Sequence, residues 1–563
     1  MLCGGITRVY VKCPLAHYIC AVVAVFCLLA TSSISFAEEP VPTRLRARLA
    51  GWPDQWSVYA TSDSHGLLVA SFVHATLLTK RLDNGEFYPY LAKSYDVSKD
   101  GKTYHFVLHP DATFSSGASV TARDVVFSYS LALSGQYCQD CKHLAHMRFA
   151  LKDLKVTGLY SLQVTLNTPG AHHGEIFAML PVLEEKYYGG LNLSKASLLA
   201  PIGAGSYSYD VKNSQYRKKI VLKKRPQPWL ARDAYFMKQS RFDIIELILI
   251  EDDQSAYQAL LDERIDVLYF TDEMVKYWGK QQKNSLGQQS RIAWHMSKKR
   301  EPFSVKQMIF NTQKGVLKDK AFRQALFHLF DGKSIMSRFY KTHFEWAQGP
   351  LFLGKLPLQG SLRPDFDVKK AISLLSSIGY RDKDKYGLLF RLEGKQKSYS
   401  KAQVSILYSH PHYTPWLENY AQLAKKVGVD IWLQYMGFSD LYQNMLDGTF
   451  DVVVLDEQKS AHTYPLVGAY GGFSHEYSKY PLRTQESFQK ALKAGKSTKE
   501  LQRYMVTMAK EVVQGYAVMY LWQRRYHHIG YIRSKVTAAD PLLTFSGNDS
   551  FDVYYRHWQQ ADK

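Results

Sequence analysis

The segment from Leu91 to Ser128 constrains the fold of this chain more than any other part of its sequence. Asp100 and Gly101 form a turn signal, because glycine adopts a positive φ without a Cβ clash. The residues Thr103 to His109 then alternate between large apolar and mixed side chains, which predicts a strand with one buried face. The segment therefore begins as a turn followed by a strand.

A helix is predicted to follow in the same segment. Gly117 marks a second turn. Thr121 suits an N-cap, and Asp124 stands three residues later, as in a relative of the capping box. Val125 and Tyr129 then share one helical face. The order turn, strand, turn, helix is typical of an α/β protein.

Residues 1–37 have the pattern of an export signal. Arg8 and Lys12 supply positive charge, Ile19 to Ala30 is apolar, and Ser35 to Ala37 forms a small-x-small cleavage site. The apolar run is short for a membrane span and is followed by polar residues. We expect a periplasmic protein with a cleaved signal peptide; an uncleaved anchor is the alternative.

The formal net charge is +20, but the positive residues are scattered along the chain. Two short clusters, Arg217 to Lys219 and Lys223 to Arg225, are interpreted as solvated strand ends. A basic helix of the kind that enters a nucleic-acid groove is missing from the pattern. The sequence therefore argues against nucleic-acid binding.

Two cysteines, Cys138 and Cys141, remain after the signal and form a C-x-x-C pair. In an oxidising compartment the simplest interpretation is a short structural disulfide. A zinc site with His143 and His146, or redox chemistry, stays open as an alternative.

Further strands and helices alternate irregularly along the chain, which predicts a mixed α/β protein of more than one domain. Asp367 is expected to cap a helix that Gly379 closes. Phe450 to Leu455 is almost wholly apolar, as in a strand buried on both faces. Arg323 lies on a predicted helix that begins at Asp319, and we assign it to a structural ion pair.

The order of these segments resembles the family 5 extracytoplasmic solute-binding proteins of peptide-type ABC importers, which bind peptides, nickel complexes or haem-related ligands. The resemblance runs from about Leu77 to Asp451. The segments that carry it are Leu82–Gly85, Pro89–Ser94, Val120–Val125, Pro201–Tyr207, Phe310–Thr312, Phe322–Leu326 with Asp331, Asp367–Tyr380 and Gly448–Asp451. Some details resemble the peptide-binding component of the microcin C-type importer; they are Leu180–Leu183, Glu185–Tyr188, Asp252–Asp253 and Tyr554–Arg556.

The resemblance implies a two-lobed α/β periplasmic binding protein fold of type II, in the large peptide-binding class. It implies a discontinuous first lobe over 38–76, 183–303 and 520–563, an additional subdomain of that lobe over 77–182, and a second lobe over 304–519. The implied partners are an inner-membrane ABC permease, its ATPase and a peptide or peptide-like ligand enclosed by lobe closure. We expect a monomer without a cofactor or a bound metal.

Ligand contacts are expected from Trp56, Asp456, Glu457, Tyr464 and Trp522. Oligopeptide binders of this family place an acidic residue opposite the α-amino group of the ligand, and that place falls near Ser460 here. Asp456 and Glu457 lie a few residues earlier and are the acidic candidates.

Three other classes of function remain open from the sequence. A nickel-chelate or haem carrier on the same fold could use His410 and His412 or the pair His172 and His173. An exported hydrolase is disfavoured, because no G-x-S-x-G, H-E-x-x-H or S-x-x-K motif is present. A receptor for sensing or for peptide capture would have the same sequence features as an importer.

Overall fold

The structure is a computed structural model that describes residues 43–53, 56, 59, 64–80, 87–134, 151–167, 174–193, 199–227, 229–232, 242–271, 274, 291–298, 304–340, 344–347, 365–393, 398–458, 475–494, 496, 498–524, 526–532, 534–538 and 558–560. The predicted signal peptide and the pair Cys138 and Cys141 lie outside these residues. No helix in the described part of the chain combines the length and the hydrophobicity that a membrane span requires.

Strands and helices of the described residues alternate along the chain. The strands are β1 Arg44–Leu49, β2 Leu78–Lys80, β3 Phe87–Pro89, β4 Ala92–Val97, β5 Thr103–Leu108, β6 Leu151–Gly158, β7 Ser161–Leu166, β8 Tyr207–Tyr209, β9 Lys219–Lys224, β10 Ile244–Leu249, β11 Val267–Tyr269, β12 Ile292–Lys298, β13 Ser304–Phe310, β14 Phe344–Trp346, β15 Asp382–Lys383, β16 Leu389–Glu393, β17 Ser398–Lys401, β18 Gln403–Tyr408, β19 Asp430–Tyr435, β20 Val452–Gln458, β21 Val518–Tyr520, β22 Trp522–Arg524, β23 Tyr526–Ile532, β24 Val536–Ala538 and β25 Trp558–Gln560.

The α-helices of the same residues flank these strands. They are α1 Ser64–Val73, α2 Ala122–Ser134, α3 Gly174–Met179, α4 Glu185–Tyr188, α5 Asp253–Leu261, α6 Lys320–His328, α7 Gly332–Ile335, α8 Val368–Ser377, α9 Thr414–Val427, α10 Phe438–Asp447, α11 His475–Ser478, α12 Gln485–Lys493 and α13 Thr498–Gln514.

The first large sheet is mixed and has the order β12-β23-β11-β1-β10-β9-β8. Its central strands β1 and β10 are parallel, and β9 pairs antiparallel with β10. One apolar core packs against it and includes Leu45, Ala47, Leu247 and Phe72. Strands from distant parts of the chain thus form one sheet.

The second large sheet has the order β19-β18-β20-β13-β21. Strand β18 is parallel to both β19 and β20, whereas β13 is antiparallel to β20 and β21. Val452 and Val454 of β20 pack into one core and Val453 into another, on opposite sides of the sheet. The prediction of a strand buried on both faces is confirmed.

A four-stranded antiparallel sheet, β4-β5-β7-β6, is formed within residues 92–166. Helix α2 lies beside it, and Tyr104, Phe106, Val125 and Tyr129 share one buried core. With the two large sheets, this gives a two-lobed α/β fold in which the first lobe carries an additional subdomain. The lobe boundaries inferred from the sequence stay a prediction.

The predicted course of the segment from Leu91 to Ser128 is confirmed. Strand β5 has its alternate residues buried. Gly101 and Gly117 have positive φ angles of 69° and 92°. At the start of α2, the backbone N–H and the hydroxyl of Thr121 donate to Asp124 at 2.8 and 2.7 Å. The second carboxylate oxygen of Asp124 accepts from the N–H of Glu185, so this residue also holds the start of α4.

The interpretation of Arg323 was wrong, and that of the cluster Lys223 to Arg225 was wrong for one residue. The guanidinium of Arg323 makes no ion pair among the described residues; it donates to the carbonyls of Leu317, Lys318 and Gly515 and thereby joins α6 to the end of α13. Lys223 and Lys224 are exposed at the end of β9, as expected, but Arg225 is not part of a solvated strand end. It donates to the carbonyls of Gly203, Gly205 and Thr113, which ties the turn before β8 to the additional subdomain.

Candidate functional site

The candidate site lies next to the described strand ends that precede and follow the connections between the two large sheets. One passage runs from β12, which ends at Lys298, to β13, which begins at Ser304. The other leaves the second sheet at Tyr520, passes through β22 and enters the first sheet at Tyr526.

A buried ion pair is the central feature of the site. Lys306 of β13 is the direct strand partner of Asp456 of β20, and its Nζ lies 3.6 Å from Oδ2 of that carboxylate. The Lys306 side chain is 2% exposed and that of Asp456 is 15% exposed. Burial of an ammonium group is costly unless an opposite charge compensates it, and Asp456 supplies such a charge beside Lys306.

Aromatic side chains surround this pair. The Lys306 Nζ lies 4.7 Å from the ring centroid of Tyr413, a cation–π distance. The ring of Tyr413 packs on Trp416 of α9 at 5.8 Å, and Trp416 packs on Trp522 of β22 at 5.1 Å. Tyr340 completes the cluster at 4.4 Å from Trp522. Rings and charges therefore meet at one end of the core of the second lobe.

Strand β22 connects this cluster to the first lobe. Gln523 donates from Nε2 to Glu345 Oε1 of β14 at 2.9 Å. The guanidinium of Arg524 donates to the carbonyl of Phe270, just after β11 of the first sheet. It also lies 5.9 Å from the ring centroid of Tyr269. A change in the angle between the lobes must therefore alter contacts made by this strand.

The structure brings together only some of the residues expected to contact a ligand. Asp456 and Trp522 flank Lys306 from two sides, since β13 lies between β20 and β21 and the N–H of Leu521 donates to the Lys306 carbonyl. Trp56 lies in the core of the first sheet, where it packs edge-on against Trp52 and Tyr209.

The side chains of the other two expected contacts lie outside the described residues. The backbone of Glu457 continues β20 opposite Val305, and its side chain lies outside the described residues. Tyr464 lies wholly outside them.

Sequence reasoning missed both Lys306 and Trp416 as site residues. One signal was available. Lys306 is a single charge within the strand Ser304–Phe310, whose other residues are polar without charge or apolar. A buried strand tolerates a lysine only when another element supplies a counter-charge. The sequence gives no indication that the counter-charge is Asp456, 150 positions away.

A second concave region lies at the opposite end of β1 from Trp52. It has a volume of about 310 Å³ and is lined by Arg44, Arg46, Asp266 and Lys535. Asp266 accepts from the guanidinium of Arg46 at 2.6 Å, and this hydrogen bond raises the pKa of Arg46. The Lys535 ammonium lies 3.5 Å from the same carboxylate. Since Asp266 pairs with both Arg46 and Lys535, we interpret this region as a structural charge cluster.

In the described part of the chain, no group of three or more His, Cys, Asp or Glu side chains is arranged to hold a metal ion. His410 and His412 do lie close together, with ring centroids 5.3 Å apart. The pair His172 and His173 lies outside the described residues, as do His143 and His146.

Comparison with known proteins gives a family match over most of the chain. The profile described as "Bacterial extracellular solute-binding proteins, family 5 Middle" matches residues 86–466. The match includes β13, most of the second sheet and the pair of Lys306 and Asp456.

Two curated relatives illustrate the similarity. YejA of Escherichia coli is 24% identical over 301 residues, which are 53% of this chain and 46% of YejA. The chain thus spans about half the length of that relative. The oligopeptide-binding protein AppA of Bacillus subtilis is 23% identical over 397 residues, 67% of this chain and 66% of AppA.

Solved structures show the same fold at low sequence identity. NikZ of Campylobacter jejuni, in complex with Ni(L-His), has a TM-score of 0.73 at 17% identity and covers 92% of this chain and 100% of its own. AppA in complex with a nonapeptide has a TM-score of 0.72 at 17% identity and covers 93% of this chain and 100% of its own.

Proposed function

Because the chain belongs to family 5 of the bacterial extracellular solute-binding proteins, we propose that it is the periplasmic solute-binding component of an ABC transporter and that it captures oligopeptides or peptide-like solutes. The observation that carries the proposal is the family match over residues 86–466 on a fold with two large sheets joined by short passages. The family and the fold are those of binding proteins, and the proposed role requires no enzymatic activity.

The proposed mechanism is capture by closure of the two lobes. A solute that contacts both lobes stabilises the closed form, because it binds that form more tightly than the open one. The connecting strand β22 is suited to this role, since Trp522 packs in the second lobe and Arg524 bonds to the first. An inner-membrane permease and its ATPase would then distinguish the loaded protein from the empty one by its shape.

The proposed contacts are those expected from the sequence, namely Trp56, Asp456, Glu457, Tyr464 and Trp522. A peptide would be held through backbone hydrogen bonds to strand edges, with its side chains in wet pockets. Export by the predicted signal over residues 1–37 would place the protein in the compartment where such solutes arrive.

Relatives with different ligands support a second candidate, a carrier of a nickel chelate or of haem. The NikZ structure holds Ni(L-His), whereas the AppA structure holds a nonapeptide. His410 and His412 are the neighbouring imidazoles that this alternative could use. The two candidates predict different bound molecules in protein purified from its own cells.

Native mass spectrometry of the protein purified from its own cells tests the proposal. We expect a mixture of short peptides, visible as a series of mass increments that disappears on denaturation. A single metal chelate or haem would overturn the peptide assignment in favour of the second candidate. Equilibrium dialysis against nickel and against haem gives the complementary measurement, and we expect neither to be retained.

A further inference from the structure

The hairpin that joins β8 to β9 has exposed apolar side chains at its tip, which comprises residues 210–218. Val211 and Tyr216 of this tip are 66% and 67% exposed. The ring of Tyr216 packs edge-on against the partly exposed Trp52, with their centroids 5.4 Å apart. Apolar surface of this kind, surrounded by polar residues, is typical of a site that contacts a protein or a membrane.

The same tip has an excess of positive charge. Lys212, Arg217 and Lys218 are exposed, and none of them forms an ion pair with any residue that the structure describes. Asp210 is the acidic residue of the tip, and its carboxylate accepts hydrogen bonds from the backbone and side-chain amides of Asn213 at 3.2 and 2.7 Å. Three positive charges and one negative charge leave the tip with a net charge of +2.

Hydrogen bonds hold the tip in a fixed conformation. The N–H of Lys218 donates to the Gln215 carbonyl at 3.0 Å, and the Lys218 carbonyl accepts from the N–H of Leu249, at the end of β10, at 2.8 Å. The tip is thereby attached to the edge of the first sheet where β10 ends. A surface that is already ordered loses little conformational entropy when it binds a partner.

The composition and the size of the tip favour a lipid surface as its partner. Lys and Arg are attracted to membranes that contain anionic phospholipids. Tyr is enriched at the membrane–water interface, because its ring is apolar and its hydroxyl group is polar. A stable protein interface involves about 20–30 residues of each partner, far more than a tip of nine residues offers. A lipid surface, by contrast, requires no complementary shape.

We propose that the tip of the β8–β9 hairpin docks the protein on a membrane surface that contains anionic phospholipids. Lys212, Arg217 and Lys218 then lie near the lipid phosphates, and Val211 and Tyr216 enter the headgroup region. Each cation close to such a surface strengthens binding about fivefold, so the three together contribute about a hundredfold. The inference goes beyond the proposed function, because it concerns a surface that the protein contacts and not the solute that it carries.

Vesicle flotation tests the inference. Protein purified from its own cells is mixed with vesicles of phosphatidylcholine alone or with vesicles that contain about one third phosphatidylglycerol. We expect the protein to float with the anionic vesicles and not with the neutral ones. Binding should weaken as the salt concentration rises, since salt screens exposed charges.

Two paired variants separate the tip from the overall charge of the protein. We expect Arg217→Gln with Lys218→Gln to lower the affinity for anionic vesicles about 25-fold. Lys425→Gln with Lys426→Gln is the matched control, because these adjacent lysines of α9 are also exposed and form no ion pair among the described residues. We expect this control to lose less than about threefold.

A third variant tests the apolar part of the tip. We expect Tyr216→Ser to lower the affinity for anionic vesicles about threefold or more, because it removes apolar surface from the headgroup region. Circular dichroism checks the fold of each variant. All variants share residues 1–37, so any contribution of that segment to membrane binding is the same in each of them.

Several results would overturn the inference. These are the absence of binding, equal binding to neutral and anionic vesicles, and equal losses in the tip pair and the control pair. An unchanged affinity in Tyr216→Ser would overturn the entry of its ring into the headgroup region. Soluble polyglutamate is the second probe: if it binds through the tip while vesicles do not, the tip is a site for an acidic polypeptide and membrane docking is wrong. The proposed function stands in each case, since none of these measurements involves a solute.

Discussion

Removal of either member of the Lys306–Asp456 pair takes away the opposite charge that faces the other member inside the second lobe. We predict that Lys306→Met and Asp456→Asn each destabilise this lobe strongly, whereas the double variant restores most of the loss. Met keeps the length and most of the apolar surface of the lysine stem, and Asn keeps the shape of the aspartate. The comparison therefore isolates the charge from the packing.

The magnitude follows from the geometry. At the observed separation of 3.6 Å, an effective dielectric constant of about 20 gives an attraction of about 5 kcal/mol. Asp456 retains contact with water, which offsets part of this energy. We therefore expect about 3–4 kcal/mol for each single variant and about 1 kcal/mol or less for the double variant.

Equilibrium urea unfolding measures the overall effect. Hydrogen exchange of the amides in residues 304–310 and 452–458 gives the local stability of β13 and β20, so the second lobe is observed separately. Lys490→Met is the matched control. Its partner Glu486 lies 2.6 Å away, but the two side chains are 75% and 78% exposed, and we expect a change below about 0.5 kcal/mol.

Two results of this comparison of single and double variants would contradict the reasoning. If each single variant lowers the free energy of unfolding by less than about 1 kcal/mol, the pair is not buried as described. If the double variant is as unstable as both single losses together, the two residues act independently and the coupling is absent.

Three further predictions concern the first lobe. Gly205→Ala should lower stability by about 1–3 kcal/mol, because an added Cβ would lie 2.7 Å from the Val73 carbonyl carbon. Gly190→Ala is the control: its added Cβ would meet nothing within 4 Å, and we expect it to be nearly neutral in thermal unfolding. Arg225→Met should cost about 2–3 kcal/mol in the same assay, since three carbonyls each lose a charged donor. Unchanged melting would contradict this role. Burial lowers the pKa of His74 from 6.5 to about 4, so the unfolded chain takes up a proton at a higher pH than the folded protein does. Stability should therefore fall by about 3 kcal/mol as the pH drops from 6.5 to 4. His74→Gln should flatten that part of the curve of stability against pH.

Local features of this chain were predictable because a few neighbouring residues determine them. The strand Thr103–Leu108 follows from alternation within six residues, and Gly101 and Gly117 mark turns that require positive φ. Asp367 caps α8 through the N–H of Lys370, three residues away, as its position before an apolar helix face predicts. Each of these features depends on residues that are close together in the sequence, so a short segment is enough to predict it.

The resemblance to a family went further than local signals, because it depends on the order of many segments. It predicted the two-lobed α/β fold, which the family profile and the solved relatives confirm. It named Asp456 and Trp522 as candidate contacts but missed Lys306 and Trp416, which lie beside them in the structure.

Only the tertiary structure decided which distant groups meet. Arg225 reaches the carbonyl of Thr113 and Arg323 that of Gly515, both more than 100 residues away, so no local charge pattern reveals these partners. Lys306 meets Asp456 because β13 and β20 pair in one particular register, and a shift of one residue would turn each side chain to the opposite face of the sheet. The sequence by itself determined the elements and the family, while the charge balance of the site depends on strand pairing across 150 residues.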